Sequence, residues 1–159
     1  MNWRGALLWG FVGTVVLTGL MSGSQGLGLT RMSLPYMLGT MVTRDRDRAK
    51  LVGFLIHVVN GWLFALVYAS AFESWRRATW WLGALIGLVH GAFVLLAGVR
   101  LIPALHPRMA NEQQGPTPTR QLEPPGSLAL NYGRRTPISV MAAHLVYGAI
   151  LGAFYRPKR

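Results

Sequence analysis

Two histidines of this chain stand inside apolar stretches and have matching neighbours, so they are the first candidates for chemistry. They are His57 and His144. Each is followed by a glycine four positions later and by a tyrosine eleven positions later, namely Gly61 with Tyr68 and Gly148 with Tyr155. Neutral imidazole is a ligand for haem iron. The pair could therefore hold a haem or a (bacterio)chlorophyll, with the two glycines leaving room for the flat ring.

The same histidines have a simpler interpretation, because a neutral histidine can hydrogen-bond to a neighbouring helix and hold a bundle together. Asn60 and Tyr147, three positions after His57 and His144, are the local partners that this interpretation predicts. His90, in a third apolar stretch, is a further candidate for cofactor binding or for a transport path. None of these stretches contains Asp or Glu, so nothing there supplies a general base for zinc chemistry or the carboxylate of an ion-coupled pump. We predict no metal site.

Four apolar stretches must position these residues. The chain has 159 residues, of which 52% are hydrophobic and 13% are charged, and no charged residue falls within 5–30, 51–72, 78–99 or 136–155. A membrane core of about 30 Å needs about 20 apolar residues in a helix. We therefore predict an all-α fold, an integral membrane four-helix bundle with helices at about 5–24, 51–72, 78–99 and 137–155. The first stretch is expected to be a retained span rather than a cleaved leader.

Small residues near the starts of two spans indicate an internal repeat. The first span contains Gly5, Ala6 and Leu7 with Gly13, and the third contains Gly83, Ala84 and Leu85 with Gly91. Together with the two matching histidine segments, this pattern predicts two tandem helical hairpins, 1–77 and 78–159, within a single membrane domain.

Glycines at four-residue spacing predict how the helices pack. Lipid tails are as apolar as leucine, so small residues that allow close backbone approach drive helix association in a membrane. We predict a helix-packing role for glycines of the second, third and fourth spans, namely Gly61, Gly83, Gly87, Gly91, Gly148 and Gly152. A ligand-accommodating role for these glycines is the alternative.

The connecting segments have patterns of their own. Residues 33–42 are apolar but too short to cross, and Ser33 before Leu34 and Pro35 resembles a helix start. This pattern predicts a short helix that lies at the interface or is tucked back into the bundle. Residues 111–126 are polar and rich in proline, which is typical of a mobile loop or an extended linker.

Two helix ends can also be predicted from local signals. Helix three is expected to end at Arg100, closed by Pro103 and Pro107. The last span is expected to start with Thr136 as its cap and Pro137 in its first turn.

The net charge of +11 is concentrated at the ends of the spans, where basic residues would meet anionic lipid head groups. We predict lipid or partner contacts for five arginines, namely Arg44, Arg46, Arg48, Arg76 and Arg77. The aromatic-basic alternation of RNA-binding proteins is missing from the sequence, so nucleic acid is not an expected partner. The sequence has no cysteine, which excludes disulfides and thiolate metal sites within the chain.

Charge also bears on orientation. With four crossings, both termini lie on one side. That side has the higher density of Lys and Arg close to helix ends, although the other side has more cations in total. By density, the positive-inside rule places both termini in the cytoplasm.

The segment from His144 to Tyr155 closely resembles the last helix of a family of small, uncharacterised four-helix proteins of the bacterial inner membrane. The resemblance extends to His57 with Gly61, to the segment from Leu34 to Gly39, and to the Gly-Ala-Leu openings of helices one and three. It implies a multi-pass protein of the bacterial inner membrane with no assigned activity. The chain departs from the family in the 111–126 loop and the Arg/Asp run at 44–48.

Three functions remain open from the sequence. The first is a non-catalytic membrane protein, either self-associating or an accessory or structural subunit of a larger complex, with no cofactor. The second is a haem- or (bacterio)chlorophyll-binding protein ligated by His57 and His144. The third is a small transporter built from the repeats around a midplane site. The absence of a catalytic grouping favours the first, so we expect no enzymatic activity.

Overall fold

The computed structural model describes residues 1–111 and 115–158, and within these residues it is all-helical, without a β-sheet. Helix α1 spans Trp3–Gly26, the short α2 spans Leu34–Gly39, and α3 spans Arg46–Ser74. Helix α4 spans Trp80–Phe93 and continues through a π turn, Val94–Gly98, into α5, Val99–Leu105. A short 3-10 segment at Ser127–Tyr132, interrupted by left-handed backbone at Leu128 and Ala129, precedes α6, Thr136–Phe154.

Four helices are long and apolar enough to cross a membrane: α1, α3, the continuous α4–α5 rod, and α6. Their outward faces carry large apolar side chains, for example Phe11, Leu63 and Val89, which are 43%, 58% and 70% exposed. Such a surface suits lipid rather than water. The predicted all-α four-helix bundle is therefore confirmed, and the four spans fit a multi-pass membrane protein.

Three of the four seams between the spans are tight. Helix α4 packs along α6, α6 along α1, and α1 along α3. Glycine makes the closest approaches: a Cβ added at Gly83 would collide with the carbonyl oxygen of Gly148, and one added at Gly87 would collide with that of His144. Such close approach lets neighbouring backbones gain dispersion contacts that lipid cannot replace.

Helix α2 does not lie free at the interface, because its backbone packs on the first turns of α3. A Cβ at Gly39 would overlap the carbonyl of Ala49, and one at Gly53 would overlap the carbonyl of Pro35. The helix starts where the sequence predicted, after Ser33, although the Ser33 side chain forms no cap hydrogen bond.

The fourth seam, between α3 and α4, is wide. The backbones of these two helices approach closely at isolated points at most. Aromatic and imidazole rings fill the gap instead: Phe64 of α3 stacks on His90 of α4 with ring centroids 3.8 Å apart, and lies 6.2 Å from Phe93. In a repeat with exact twofold symmetry this seam would match the tight α1–α6 seam. The two seams between the hairpins are therefore unequal: α1 packs closely on α6, whereas α3 and α4 stand further apart.

The third span ends later than predicted. It passes Arg100 and reaches Leu105, with Pro103 inside the last turns. Proline lacks the amide hydrogen that a helix interior needs, but few residues follow it here. The π turn at Val94–Gly98, in which the Val99 amide donates to the Val94 carbonyl, was not predicted either.

Thr136 does not cap α6 as predicted. It is the first residue of the helix, after Arg135, and its hydroxyl lies 2.7 Å from the hydroxyl of Thr30. Both threonines are buried. The Thr136 hydroxyl thus links the segment after α1 to the start of α6, instead of accepting a hydrogen bond from a backbone amide of α6.

The described part of the 111–126 loop is docked rather than extended; residues 112–114 lie outside the described residues. The Ala110 amide donates to the Leu122 carbonyl and the Leu122 amide donates to the Arg108 carbonyl, both at 3.0 Å. The Arg120 guanidinium donates to the carbonyls of His106 and Met109 at 3.4 and 3.1 Å. These bonds fold the loop back over the end of α5, which local composition does not reveal.

Replacing Gly83 by alanine should destabilise the bundle, because the new methyl group meets the backbone of α6 and the seam must widen. We expect a loss of about 1–3 kcal/mol of unfolding free energy, as for other overpacked sites. The measurement is unfolding in mixed micelles titrated with SDS. The control is Gly19→Ala, where nothing lies within 4 Å and helix propensity should stabilise by up to about 1 kcal/mol. Equal effects at the two sites would contradict this seam.

Candidate functional site

His57 lies buried on α3 and faces α1. Its Nδ1 atom is 3.1 Å from the hydroxyl of Thr18, which itself donates to the Thr14 carbonyl at 2.8 Å. A threonine hydroxyl has a single hydrogen, so the His57 Nδ1–H is the donor to Thr18. The imidazole therefore presents an unprotonated Nε2. The partner predicted from sequence, Asn60, does not form this bond.

His144 lies buried on α6 and is held in the same tautomer by its own helix. Its Nδ1–H donates to the Val140 carbonyl, one turn earlier, at 2.8 Å. Tyr147, the local partner predicted from sequence, instead donates across the bundle to the Gly61 carbonyl of α3 at 2.6 Å. Tyr147 therefore ties α6 to the diagonally opposite helix.

His90 joins the other groups from α4. Its ring lies edge-on to that of His144, with centroids 4.6 Å apart, and stacks on Phe64. Its Nδ1 is 3.3 Å from the hydroxyl of Tyr68 on α3. Tyr68 in turn packs edge-on against Tyr147 at 5.5 Å. The structure thus brings His90, His144 and the two tyrosines together at the wide seam.

The cluster offers acceptor atoms but no metal site. The Nε2 atoms of His57, His90 and His144 have no hydrogen-bond partner among the described residues. Within residues 1–111 and 115–158, no group of three or more His, Cys, Asp or Glu side chains is placed to hold a metal ion. Chemically, the cluster can accept hydrogen bonds, and its neutral rings can fill the gap between α3 and α4.

The glycines beside the histidines are covered by neighbouring helices. A Cβ at Gly61 would collide with the hydroxyl of Thr14, and a Cβ at Gly148 would collide with the carbonyl of Gly83. Gly152 faces the carbonyl of Thr79 in the same way, and Gly91 lies against Met141. The room beside the histidines that the cofactor interpretation assigned to Gly61 and Gly148 is thus filled by neighbouring helices. Ligation of a haem or (bacterio)chlorophyll by His57 and His144 stays a prediction.

A second polar site, at the terminal end of the bundle, was not predicted as one. The Glu73 carboxylate at the end of α3 accepts from the Tyr155 hydroxyl at 2.6 Å and from the backbone amides of Asn2 and Lys158 at 3.1 Å. Burial raises the pKa of Tyr155 to about 12, and its hydrogen bond to Glu73 adds to that shift. Glu73 thus ties α3 to both ends of the chain.

A third polar site closes the opposite end, and sequence reasoning missed it. His106 is 1% exposed, and its Nδ1 accepts from the Arg108 backbone amide at 3.0 Å. Its Nε2–H therefore points at the Met37 carbonyl, 2.9 Å away. The sequence signal that could have indicated this site is one histidine and two arginines in and beside the proline-rich loop.

The arginines predicted to contact lipid or a partner lie at the two rims of the bundle, and all five are exposed. Arg46 lies over the Tyr36 ring at 6.0 Å, and Arg77 over the Trp81 ring at 5.5 Å. Arg76, just after the end of α3, adopts a left-handed backbone with φ of 49°. Arg44 and Arg48 flank Asp45, whose carboxylate caps α3 by accepting from the Arg48 amide at 2.7 Å.

No protein-family model, curated protein or solved structure matches this chain. The resemblance to a family of small bacterial inner-membrane proteins therefore stays a prediction, and the geometry alone must carry the functional argument.

Tyr147→Phe removes only the hydroxyl that donates to the Gly61 carbonyl. Hydrogen bonds between membrane helices average about 0.6 kcal/mol and reach about 1.7 kcal/mol. Because Tyr147 is 1% exposed, we expect a loss at the upper part of this range, measured by SDS unfolding. Tyr36→Phe is the matched control, since the Tyr36 hydroxyl has no hydrogen-bond partner among the described residues. A loss no greater than the control's would show that the bond contributes nothing.

His106 should make stability depend on pH. Burial lowers its pKa below the ordinary value of about 6.5; the hydrogen bond to Met37 opposes this, and the nearby Arg108 and Arg120 reinforce it. The unfolded chain therefore binds a proton near pH 6.5 that the folded chain does not, so stability falls as pH falls below that value.

The variant His106→Gln keeps a donor for the Met37 carbonyl and cannot titrate. We expect the wild type to lose more stability than this variant between pH 7.5 and 5, and subtracting the two unfolding curves removes the contribution of all other groups. Parallel curves over that range would overturn the prediction.

Proposed function

We propose that this chain is a non-catalytic integral membrane protein that associates through its transmembrane helices, with a second copy of itself or as an accessory or structural subunit of a larger membrane complex. The proposed location is the bacterial inner membrane, with both termini in the cytoplasm. The density of basic residues near the helix ends on the terminal side supports this orientation.

The observation that carries the proposal is how the polar side chains of the spans are used. His57 bonds to Thr18 across α3 and α1, and the Trp62 indole donates to the Leu7 carbonyl across the same two helices at 2.9 Å. Tyr147 bonds across α6 and α3, and Tyr68 across α3 and α4. Polar groups that bond from helix to helix stabilise a bundle.

Glycines of α1 support association with a further helix. Gly10 and Gly13, in the first half of α1, are covered by Ala65 and Tyr147. Gly19, Gly23 and Gly26, in the second half, have nothing within 4 Å of a built Cβ. The same residue type thus mediates close packing inside the bundle and remains uncovered on its outside. Membrane helices associate through such faces.

Native mass spectrometry of protein gently extracted from its own membranes tests the proposal. We expect a mass that corresponds to a multiple of this chain or to a complex with other membrane subunits. Gly23→Leu should reduce the complex by about tenfold or more, which corresponds to about 1.4 kcal/mol. The control is Ala142→Leu, a small-to-large change at an exposed position of α6.

Three results would contradict the proposal. A single chain as the only species under the gentlest extraction would exclude stable association. Equal loss of the complex with Gly23→Leu and Ala142→Leu would exclude the open glycine face as the contact. A small added mass with visible absorption that His57→Ala abolishes would favour the cofactor alternative instead.

A further inference from the structure

A cleft of about 180 Å³ lies at the end of the bundle opposite the chain termini. It is formed by the end of α2, the segment that leads into α3, and the docked loop after α5. Tyr36 lies at its side, and its other polar lining residues are Thr40, Arg44, Arg108, Thr119 and Gln121. No acidic residue among the described ones lines it.

Arg108 is fixed at this cleft with donors to spare. One terminal nitrogen of its guanidinium donates to the Thr40 carbonyl. The Nε atom is buried and has no hydrogen-bond partner among the described residues. A buried donor without an acceptor is destabilising. The guanidinium also has terminal N–H groups beyond the one that bonds Thr40.

The backbone of Arg108 is held by His106. The Nδ1 atom of His106 accepts a hydrogen bond from the Arg108 amide. The Nε2–H of His106 therefore faces the Met37 carbonyl on α2, and the Thr40 hydroxyl lies 3.2 Å from this Nε2 atom. Arg120 then bonds the His106 and Met109 carbonyls from the loop. The arginine is thus placed by three separate segments before any ligand arrives.

The described acids near the cleft make their contacts elsewhere and form no ion pair with its arginines. Asp45 caps α3, Asp47 pairs with Lys50 at 3.9 Å, and Glu123 pairs with Arg31 at 3.1 Å. No described acid forms an ion pair with Arg44 or Arg108. The lining of the cleft therefore combines two arginines with threonine hydroxyls and, among the described residues, contains no carboxylate.

We propose that this cleft binds a phosphate group, supplied either by a phospholipid headgroup or by a small phosphate ester. The planar guanidinium of arginine matches the geometry of phosphate oxygens and can donate to two of them. The cleft lies at the end of α2, which packs on the first turns of α3, and the apolar part of that span begins at Leu51. Lipid phosphates occupy this level of a membrane. The site is separate from the open glycine face of α1.

The test is a binding titration of the detergent-purified full chain, monitored by isothermal titration calorimetry. The two probes are short-chain phosphatidylglycerol and glycerol 3-phosphate. We expect phosphatidylglycerol to bind, and Arg44→Gln or Arg108→Gln to weaken binding at least about tenfold. Arg44 is exposed, so its replacement should leave the fold intact, which circular dichroism and the unfolding midpoint would verify.

Arg134→Gln is the matched control, because it removes one exposed charge near the start of α6 and outside the cleft. We expect its binding to stay within about twofold of wild type. Binding of both probes with the same dependence on Arg44 and Arg108 would identify the phosphate itself as the recognised group. Binding of phosphatidylglycerol alone would identify a lipid site.

Two results would overturn the proposal. One is equal weakening by Arg44→Gln, Arg108→Gln and Arg134→Gln, which would mean that only overall charge attracts the lipid. The other is no binding of either probe by the folded wild type. Neither result bears on helix association, because the complexes measured by mass spectrometry depend on Gly23 and not on these arginines.

Discussion

Close approach of helix backbones at glycine is the interaction on which the rest of this structure depends. In a membrane, apolar burial does not distinguish a neighbouring helix from lipid, so contact has to be gained by bringing backbones together. Gly83, Gly87 and Gly148 do this between α4 and α6, and Gly39 and Gly53 do it between α2 and α3. The side chains of the buried cluster occupy the space that these contacts leave.

The polar groups follow from that geometry. Once α1, α6 and α4 are locked side by side, the rings of His90, Phe64 and Tyr68 fill the remaining gap to α3. A buried polar atom in a membrane has no water to bond, and here the Tyr68 hydroxyl and the His90 Nδ1 atom lie 3.3 Å apart and satisfy each other. The tyrosine and histidine bonds are a consequence of the packing, and they hold α3 at a distance set by ring size.

The sequence predicts the four spans, the short α2 and the glycines that carry the tight seams, because charge-free stretches and small-residue spacing act through local chemistry. It does not predict that His57 bonds to Thr18 rather than Asn60, since that depends on which helix lies next to α3. The docking of the 111–126 loop, the buried His106 and the π turn depend on tertiary contacts in the same way. The candidate histidines could be chosen from sequence, whereas their tautomers required the structure.

The unequal seams have a mechanical consequence. The spans are arranged in the order α3, α1, α6, α4, and each packs closely on the next. The backbones of α3 and α4, at the two ends of this order, approach closely at isolated points at most. At a glycine contact, any movement of one helix towards the other brings backbone atoms into collision. At the stacked rings, the helices can shift relative to each other because the side chains can rotate. Elastic compliance is therefore concentrated at one line along the bundle, between α3 and α4.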